Sequence, residues 1–85
     1  MHNAIFIIKG KLRKNILLGL QEKPKTGKKL SSELEKHLTS ISRILIELEK
    51  KKFVKCLNPK DDRFRFYQIT NKGKQVLKKI SEMEK

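Results

Sequence analysis

The clearest structural signal in this 85-residue sequence lies at residues 38–48, which read Leu38-Thr39-Ser40-Ile41-Ser42-Arg43-Ile44-Leu45-Ile46-Glu47-Leu48. Four of its apolar residues, from Ile41 to Leu48, recur at the spacing of an amphipathic helix. Thr39 or Ser40 is a good N-cap, because a side-chain hydroxyl can accept a hydrogen bond from the first backbone N–H groups of a helix. The pattern therefore predicts a helix over about residues 40–51.

Two further helices are predicted before this stretch. An apolar stripe indicates a first helix over about residues 9–22, which ends where Pro24 and Gly27 disfavour helical backbone. Leucines spaced by four then indicate a short second helix over about residues 28–37. Only a few residues separate the second and third helices, and so short a connection makes neighbouring helices cross steeply, as in a helix-turn-helix.

The pattern changes after residue 52. Two β-prone runs, at residues 53–57 and 63–69, flank a segment rich in turn-forming residues, Asn58-Pro59-Lys60-Asp61-Asp62. These runs predict a β-hairpin over about residues 53–69. Thr70 can then cap a last helix over about residues 70–84, whose apolar residues again recur at helical spacing.

The composition narrows the class of protein. Lys and Arg number 22 against 9 Asp and Glu, and the net charge of +13 points to a polyanionic partner. A chain of this length holds one domain, predicted over residues 1–85, with its function on the surface rather than in a deep cleft. The longest apolar run, Ala4 to Ile8, is far shorter than the roughly 20 residues of a membrane helix. Cys56 is the single cysteine, which excludes an intramolecular disulfide and agrees with a reducing, cytoplasmic compartment, and no membrane partner is expected.

Three segments in this order resemble a known family. Residues 12–20 look like the first helix of winged helix-turn-helix DNA-binding regulators of the ArsR and MarR type, and residues 41–49 resemble their recognition helix. Asp62-Arg63 with Tyr67-Gln68-Ile69-Thr70-Asn71-Lys72-Gly73 is similar to their wing and to the Tyr-x-Leu-Thr-x-x-Gly junction into the last helix. The resemblance covers about residues 9–80. It implies an α+β winged helix-turn-helix fold, with a three-helix bundle, a β-hairpin wing and a C-terminal helix, in a transcriptional regulator of archaeal source.

Two departures from the family pattern matter. The family usually has a glycine at the turn into the wing, and Lys52 occupies that position here. The end of the third helix is therefore expected to need a strained or differently shaped cap. The ArsR type often carries metal-binding cysteines near the recognition helix, and there are none here. No metal and no other cofactor is expected.

The candidate DNA contacts follow from this geometry. If the apolar stripe of the third helix packs on the first two helices, its other face is free for the major groove. The predicted base contacts are Ser40, Ser42, Arg43 and Ile46. The predicted backbone contacts are Lys28, Lys29, Thr39, Lys50 and Lys55, and the predicted wing contacts are Lys60, Arg63 and Arg65.

Structural alternatives exist for three of these side chains. Arg43 could form an ion pair with Glu47 one helical turn away, and Ile46 could pack against a core or a partner. An acid near the wing tip could hold Arg63 in place. In each case the side chain would stabilise the protein rather than contact DNA.

Two apolar segments exceed what one small core needs. Ile5, Phe6 and Ile8 precede the first helix, and Leu77, Ile80 and Met83 lie in the last helix. If exposed, they would form interaction patches, so the sequence predicts a homodimer built through these residues, with half-sites about one DNA turn apart. The alternative is that both segments cover the core of the monomer.

The leading functional hypothesis is a transcriptional regulator that binds double-stranded DNA, with its recognition helix in the major groove and a basic wing on the adjacent groove or backbone. The alternatives are a winged-helix interaction module of a transcription or replication assembly, and a nonspecific, chromatin-like DNA-binding protein. His2, His37 and Cys56 are scattered singly, and there is no Gly-rich nucleotide loop. No catalytic residues, and hence no enzyme, are expected.

Overall fold

The computed structural model describes residues 10–83, which contain four helices and a three-stranded sheet. In chain order the elements are α1 (Lys11–Glu22), β1 (Lys25–Thr26), α2 (Gly27–Leu34), α3 (Leu38–Lys50), β2 (Val54–Cys56), β3 (Phe66–Ile69) and α4 (Asn71–Met83). This order confirms the α+β winged helix-turn-helix fold. Ile5, Phe6 and Ile8, predicted at a dimer interface, lie outside the described residues.

The sheet is antiparallel, with the strands in the order β1-β3-β2. β2 and β3 form the predicted hairpin, in a register that places Cys56 opposite Tyr67. β1 was not predicted, because a two-residue strand beside Pro24 has no periodicity of its own. It forms because Lys25 and Thr26 pair with the free edge of β3.

The core lies between the apolar faces of the helices and the inner face of the sheet. Its buried apolar residues are Ile16, Leu17, Leu20, Leu30, Ile41, Leu45, Leu48, Phe53, Val54, Tyr67, Ile69, Val76, Leu77 and Ile80. Those from α1, α3 and α4 occupy the stripe positions that the sequence pattern indicated. Within residues 10–83, every helix is too short or too polar to cross a lipid bilayer.

The residues predicted for a dimer interface in α4 need a correction. Leu77 and Ile80 are buried inside the single chain, because α4 packs against α1 and the sheet. Their apolar surface is thus already covered without a partner. Met83 is exposed near the end of the same helix.

The second helix is shorter than predicted: α2 spans Gly27–Leu34 rather than 28–37. Thr26 caps its start, since the Thr26 Oγ1 accepts a hydrogen bond from the Lys29 N–H at 3.1 Å. The helix ends early because Glu35 adopts a left-handed conformation, with φ 53°.

The third helix begins earlier than predicted. Since α2 stops at Leu34, only three residues connect it to α3, which starts at Leu38. Its N-cap is His37, whose side chain makes no capping hydrogen bond. The predicted caps, Thr39 and Ser40, therefore lie in the first turn of α3, where both are exposed.

The prediction of an unusual cap at the end of α3 is confirmed. Lys52 adopts a left-handed conformation, with φ 69°. Its N–H donates to the Glu49 carbonyl at 3.0 Å, and the N–H of Phe53 donates to the Leu48 carbonyl at 2.9 Å. This pair of bonds is a Schellman cap, which normally favours glycine at the left-handed residue.

The junction between β3 and α4 matches the predicted Thr-x-x-Gly pattern. Thr70 Oγ1 accepts a hydrogen bond from the Gly73 N–H at 3.1 Å and donates to the Lys52 carbonyl at 2.6 Å. The Thr70 N–H donates to the Phe53 carbonyl at 2.9 Å. A Cβ on Gly73 would overlap that Phe53 oxygen and lie 2.7 Å from Ile69 Cγ1. Glycine is therefore required by close packing here, and the junction sets where the wing leaves the helical bundle.

A buried lysine ties the sheet to two helices. Lys25 is only 3% exposed, and its Nζ donates to Glu22 Oε1 at 2.7 Å and to Glu33 Oε1 at 2.8 Å. These two hydrogen bonds raise the pKa of Lys25 above its ordinary value. The bond from Lys25 likewise lowers the pKa of Glu33. One cation thus joins β1 to the end of α1 and to α2.

Candidate nucleic-acid interface

The third helix presents one face to solvent. It packs into the core through Ile41, Leu45 and Leu48. All four predicted base-contact residues are exposed, namely Ser40, Ser42, Arg43 and Ile46. Ile46 is 50% exposed, so it is not part of the core of this chain.

Arg43 does not form the ion pair with Glu47 that the sequence left open as an alternative. Glu47 Oε2 accepts hydrogen bonds from Arg13 Nη2 and Nε of α1, at 3.0 and 3.2 Å. Within residues 10–83, the Arg43 side chain has no hydrogen-bond or ion-pair partner. The Arg13–Glu47 pair anchors α3 to α1 and leaves the Arg43 guanidinium available for a ligand.

Asn58 closes the base of the wing loop. Its Oδ1 accepts the Phe66 N–H at 2.7 Å, and its Nδ2 donates to the Phe64 carbonyl at 2.7 Å. The Asn58 side chain thus takes the place of strand-to-strand bonds. For this reason the regular strand begins at Phe66, and residues 63–65 of the predicted β-run belong to the loop.

Asp61 organises the tip of the wing. Its carboxylate accepts the backbone N–H groups of Phe64 and Arg63, both at 2.9 Å, which hold the pKa of Asp61 below its usual value. Arg65 Nε donates to the Asp61 carbonyl oxygen at 2.8 Å. The acid therefore fixes the backbone of the loop, while the Arg63 residue stays exposed.

A groove of about 360 Å³ lies between α3, the start of α2 and the wing. We call it the wing groove; it is lined by Gly27, Lys28, Leu38, Ser42, Leu45, Ile46, Asp62, Arg63, Arg65 and Tyr67. It contains members of all three predicted groups: two base contacts, one backbone contact and two wing arginines. Three cations and one acid line it, so its charge suits an anionic ligand.

Other predicted contacts surround this groove. Ser40, Arg43 and Thr39 are exposed on the N-terminal half of α3, and Lys50 is exposed at the end of that helix. Lys60 is exposed in the turn at the wing tip, which is closed by a hydrogen bond across residues 58–61. These side chains extend the basic and polar surface on either side of the groove.

Two of the predicted backbone contacts point elsewhere. Lys55 lies on the opposite face of the sheet, because its neighbours Val54 and Cys56 face the core and side chains alternate along a strand. Lys29 lines a depression beside Phe66, away from the wing groove. Placing Lys55 required strand alternation together with the observed register.

Three residues important to this surface were not predicted. Leu38 lines the wing groove, but the sequence pattern assigned it to the stripe of the second helix. Tyr67 lines the inner wall of the groove; its burial raises the pKa of the phenol, and a hydrogen bond with Arg65 opposes that rise. Arg13 anchors α3, and no local pattern could reveal its partner 34 residues away.

Candidate metal ligands do not gather in this part of the molecule. Among residues 10–83, no three His, Cys, Asp or Glu side chains are close enough to hold a metal ion. Cys56 is partly buried in the hairpin, with its Sγ 3.8 Å from Asn58 Oδ1.

Several solved structures of transcription regulators have a similar fold. The transcriptional regulator BldR from Sulfolobus solfataricus is 30% identical, with a TM-score of 0.76 over 85% of this chain and 52% of that one. A MarR family transcription regulator is 28% identical, with a TM-score of 0.75 over 86% and 50%. ZitR from Lactococcus lactis, solved in complex with DNA, is 22% identical, with a TM-score of 0.72 over 84% and 49%.

The present chain spans about half the length of these structures. The scan against protein-family models and the search of curated proteins found no match. The likeness therefore rests on the three-dimensional arrangement, and it agrees with the winged helix-turn-helix architecture described above.

Proposed function

We propose that this chain is the DNA-binding part of a transcriptional regulator and is not an enzyme. In this proposal α3 enters the major groove of double-stranded DNA, and the wing lies on the adjacent groove or backbone. The wing groove carries the argument, because it brings Ser42 and Ile46 of α3 beside Lys28, Arg63 and Arg65. The descriptions of the similar structures as transcription regulators support the same function.

Sequence readout is assigned to α3. The Arg43 guanidinium has no partner among residues 10–83, and its two parallel N–H groups match the O6 and N7 acceptors of guanine. Ser40 and Ser42 can donate to base edges or phosphates, and the half-exposed Ile46 can contact a thymine methyl group. Together these four residues offer hydrogen-bond donors and one apolar contact to the base edges, which is what recognition of a particular DNA sequence requires.

Affinity is assigned mainly to residues outside α3. α3 carries two basic and two acidic residues and is therefore neutral, so the helix itself attracts phosphate weakly. Lys28, Arg63 and Arg65 flank it with positive charge, and Thr39 and Lys50 extend the contact along the helix. If about six phosphates are neutralised, the slope of log affinity on log salt is about −5.

The decisive experiment is selection of bound sequences from random duplex DNA, followed by titration of the winner and of a scrambled duplex over a salt series. Arg43→Ala should weaken the selected site by about 5- to 150-fold, the range for losing one good bidentate base contact, and the scrambled duplex much less. Lys79→Ala is the matched control, since Lys79 is exposed on α4 and lies outside the wing groove. Failure to enrich any motif would refute the specific-regulator function.

One observation favours a protein-interaction module as the second candidate. Leu38 and Ile46 expose apolar surface at the wing groove, where a partner helix or peptide could pack. That function predicts no duplex binding at moderate salt despite the net charge of +13. A nonspecific, chromatin-like protein would instead bind every duplex, and Arg43→Ala would weaken all of them equally.

The proposal includes a homodimer. Helix-turn-helix regulators commonly bind palindromic sites, and a two-fold symmetric dimer matches the two half-sites of such a palindrome. Met83 and Leu18 are exposed apolar residues on α4 and α1 that could meet a second copy. Sedimentation of the chain with and without a two-half-site duplex tests this, and a monomer in both conditions would refute it. A cytoplasmic, nucleoid-associated location and an archaeal source are the corresponding expectations.

A further inference from the structure

The side of the wing sheet that faces away from the core is chemically different from the wing groove. Side chains alternate along each strand, and Val54, Cys56, Tyr67 and Ile69 face the core. The residues that alternate with them form what we call the outer wing face, consisting of Thr26, Lys55, Leu57, Phe66 and Gln68. None of these five lines the wing groove.

Three large apolar side chains are exposed on this face or in the loop beside it. Phe66 is 44% exposed and Leu57 is 47% exposed, and they lie opposite each other, since the Leu57 N–H donates to the Phe66 carbonyl at 2.8 Å. Phe64 is 56% exposed in the loop that leads into β3, two residues before Phe66. Both rings are therefore open to solvent, and each can contact a flat group.

The surroundings of these rings are positively charged. Phe66 borders a depression of about 450 Å³ whose other lining residues are Lys23, Pro24, Lys25, Thr26 and Lys29. Lys55 adds a cation on the sheet itself. Three carboxylates of this part of the molecule are already engaged, because Glu22 and Glu33 bind Lys25 and Asp61 accepts backbone N–H groups.

We propose that the outer wing face binds single-stranded nucleic acid, with unpaired bases stacked on Phe66 and Phe64 and the phosphates held by Lys23, Lys29 and Lys55. Single-stranded nucleic acids are bound by aromatic rings interleaved with cations, because every base has a flat π-face that can stack and every phosphodiester linkage carries a negative charge. A neutral apolar partner would gain nothing from the lysines, so charge complementarity selects the nucleic acid.

The backbone geometry supports this ligand. The Phe64 N–H and carbonyl are both hydrogen-bonded, to Asp61 Oδ1 and Asn58 Nδ2. The ring is therefore carried by an ordered loop, which lowers the entropy lost on binding. Because the face lies across the sheet from the wing groove, a single strand and a duplex bind at different places.

The test uses a fluorescently labelled oligo(dT) of about 12 nucleotides, within the site sizes of known single-strand binders, and measures anisotropy at low salt. Phe66→Leu and Phe64→Leu should each weaken binding about tenfold, because stacking is lost while apolar volume is kept. Phe66→Tyr, which keeps the ring, should bind like the native chain. Gln75→Ala, on the exposed side of α4 and outside the outer wing face, is the control and should change the affinity less than about twofold.

The outcomes separate this proposal from the function proposed above. Native duplex affinity in Phe66→Leu, together with weak oligo(dT) binding, supports a separate single-strand face. The proposal is overturned if the native chain does not bind oligo(dT), if both Leu variants bind like the native chain, or if Gln75→Ala is as damaging as Phe66→Leu. It is also overturned if duplex and oligo(dT) affinities fall together, which would mean one shared site. Thermal unfolding of each variant verifies that the fold is intact.

Discussion

Gly73 gives the sharpest test of how the wing is joined to the bundle. A Cβ at this position would overlap the Phe53 carbonyl oxygen and would lie 2.7 Å from Ile69 Cγ1. The obstructing oxygen belongs to the backbone and accepts the Thr70 N–H at 2.9 Å. It cannot move aside without breaking that bond, so Gly73→Ala must push α4 away from the turn after α3.

The expected magnitude follows from two opposing effects. Alanine is favoured over glycine in a helix by about 1 kcal/mol. Overpacking costs about 1–3 kcal/mol, and a clash with backbone belongs at the upper end of that range. Gly73→Ala should therefore lower the free energy of unfolding by about 2 kcal/mol. For a domain of this size, that corresponds to a fall in Tm of about 8–16 °C.

The assay is thermal and urea unfolding followed by circular dichroism, with Gly19→Ala as the matched control. A Cβ on Gly19 would lie 3.0 Å from Leu30 Cδ2, the end of a flexible side chain. Since Gly19 is inside α1 with an ordinary negative φ, alanine there should cost less than Gly73→Ala, because a side-chain methyl group can shift more easily than a hydrogen-bonded backbone oxygen. If Gly73→Ala were as stable as the native chain, or no less stable than Gly19→Ala, the packing argument would be wrong.

Three further predictions concern the caps, the buried lysine and the wing. Lys52→Gly should raise the free energy of unfolding by about 0.5–1 kcal/mol. It removes about 1–2 kcal/mol of strain from the left-handed backbone, and this gain is partly offset by the greater flexibility of glycine in the unfolded chain. Urea unfolding identical to that of the native chain would mean that Lys52 is not strained. Lys25→Met should destabilise the chain at pH 7. Because the pKa of Glu33 is depressed below 4.5 in the folded state, the ion pair stabilises above that pH and is lost in acid. The gap in Tm between native and variant should thus narrow as the pH falls, and a widening gap would contradict this. Asp61→Ala should speed hydrogen exchange of the Arg63 amide, measured by NMR, while global stability changes little; an unchanged exchange rate would exclude Asp61 as the organiser of the tip.

Much of the fold could be predicted because its signals are local. The spacing of apolar residues in α1, α3 and α4 is a property of each segment alone, and so is the turn chemistry that joins β2 to β3. The unusual cap at Lys52 was also predictable, since a left-handed position filled by lysine is visible where glycine is expected. The observed bounds of α2 and α3 nevertheless differ from the predicted ones, because the left-handed conformation of Glu35 ends α2 early.

The candidate site was predictable only in part. Ser42, Ile46 and Arg63 were identified from helix periodicity and from the hairpin, and they do lie along one groove. Lys55 was assigned to the same surface, yet strand alternation puts it on the outer wing face. Charge alone does not tell which side of a sheet a lysine occupies.

The sequence by itself determined the order of helices and hairpin, the excess of positive charge and the need for a special cap at Lys52. These features depend on composition or on a few neighbouring residues, so no contact between distant parts of the chain is needed to predict them. Only the tertiary structure decided that β1 pairs with β3, that Glu47 binds Arg13, that Leu77 is covered within one chain and that two chemically different faces flank the wing. Each of these depends on groups far apart in the chain, whose pairing is selected by packing and register rather than by local spacing.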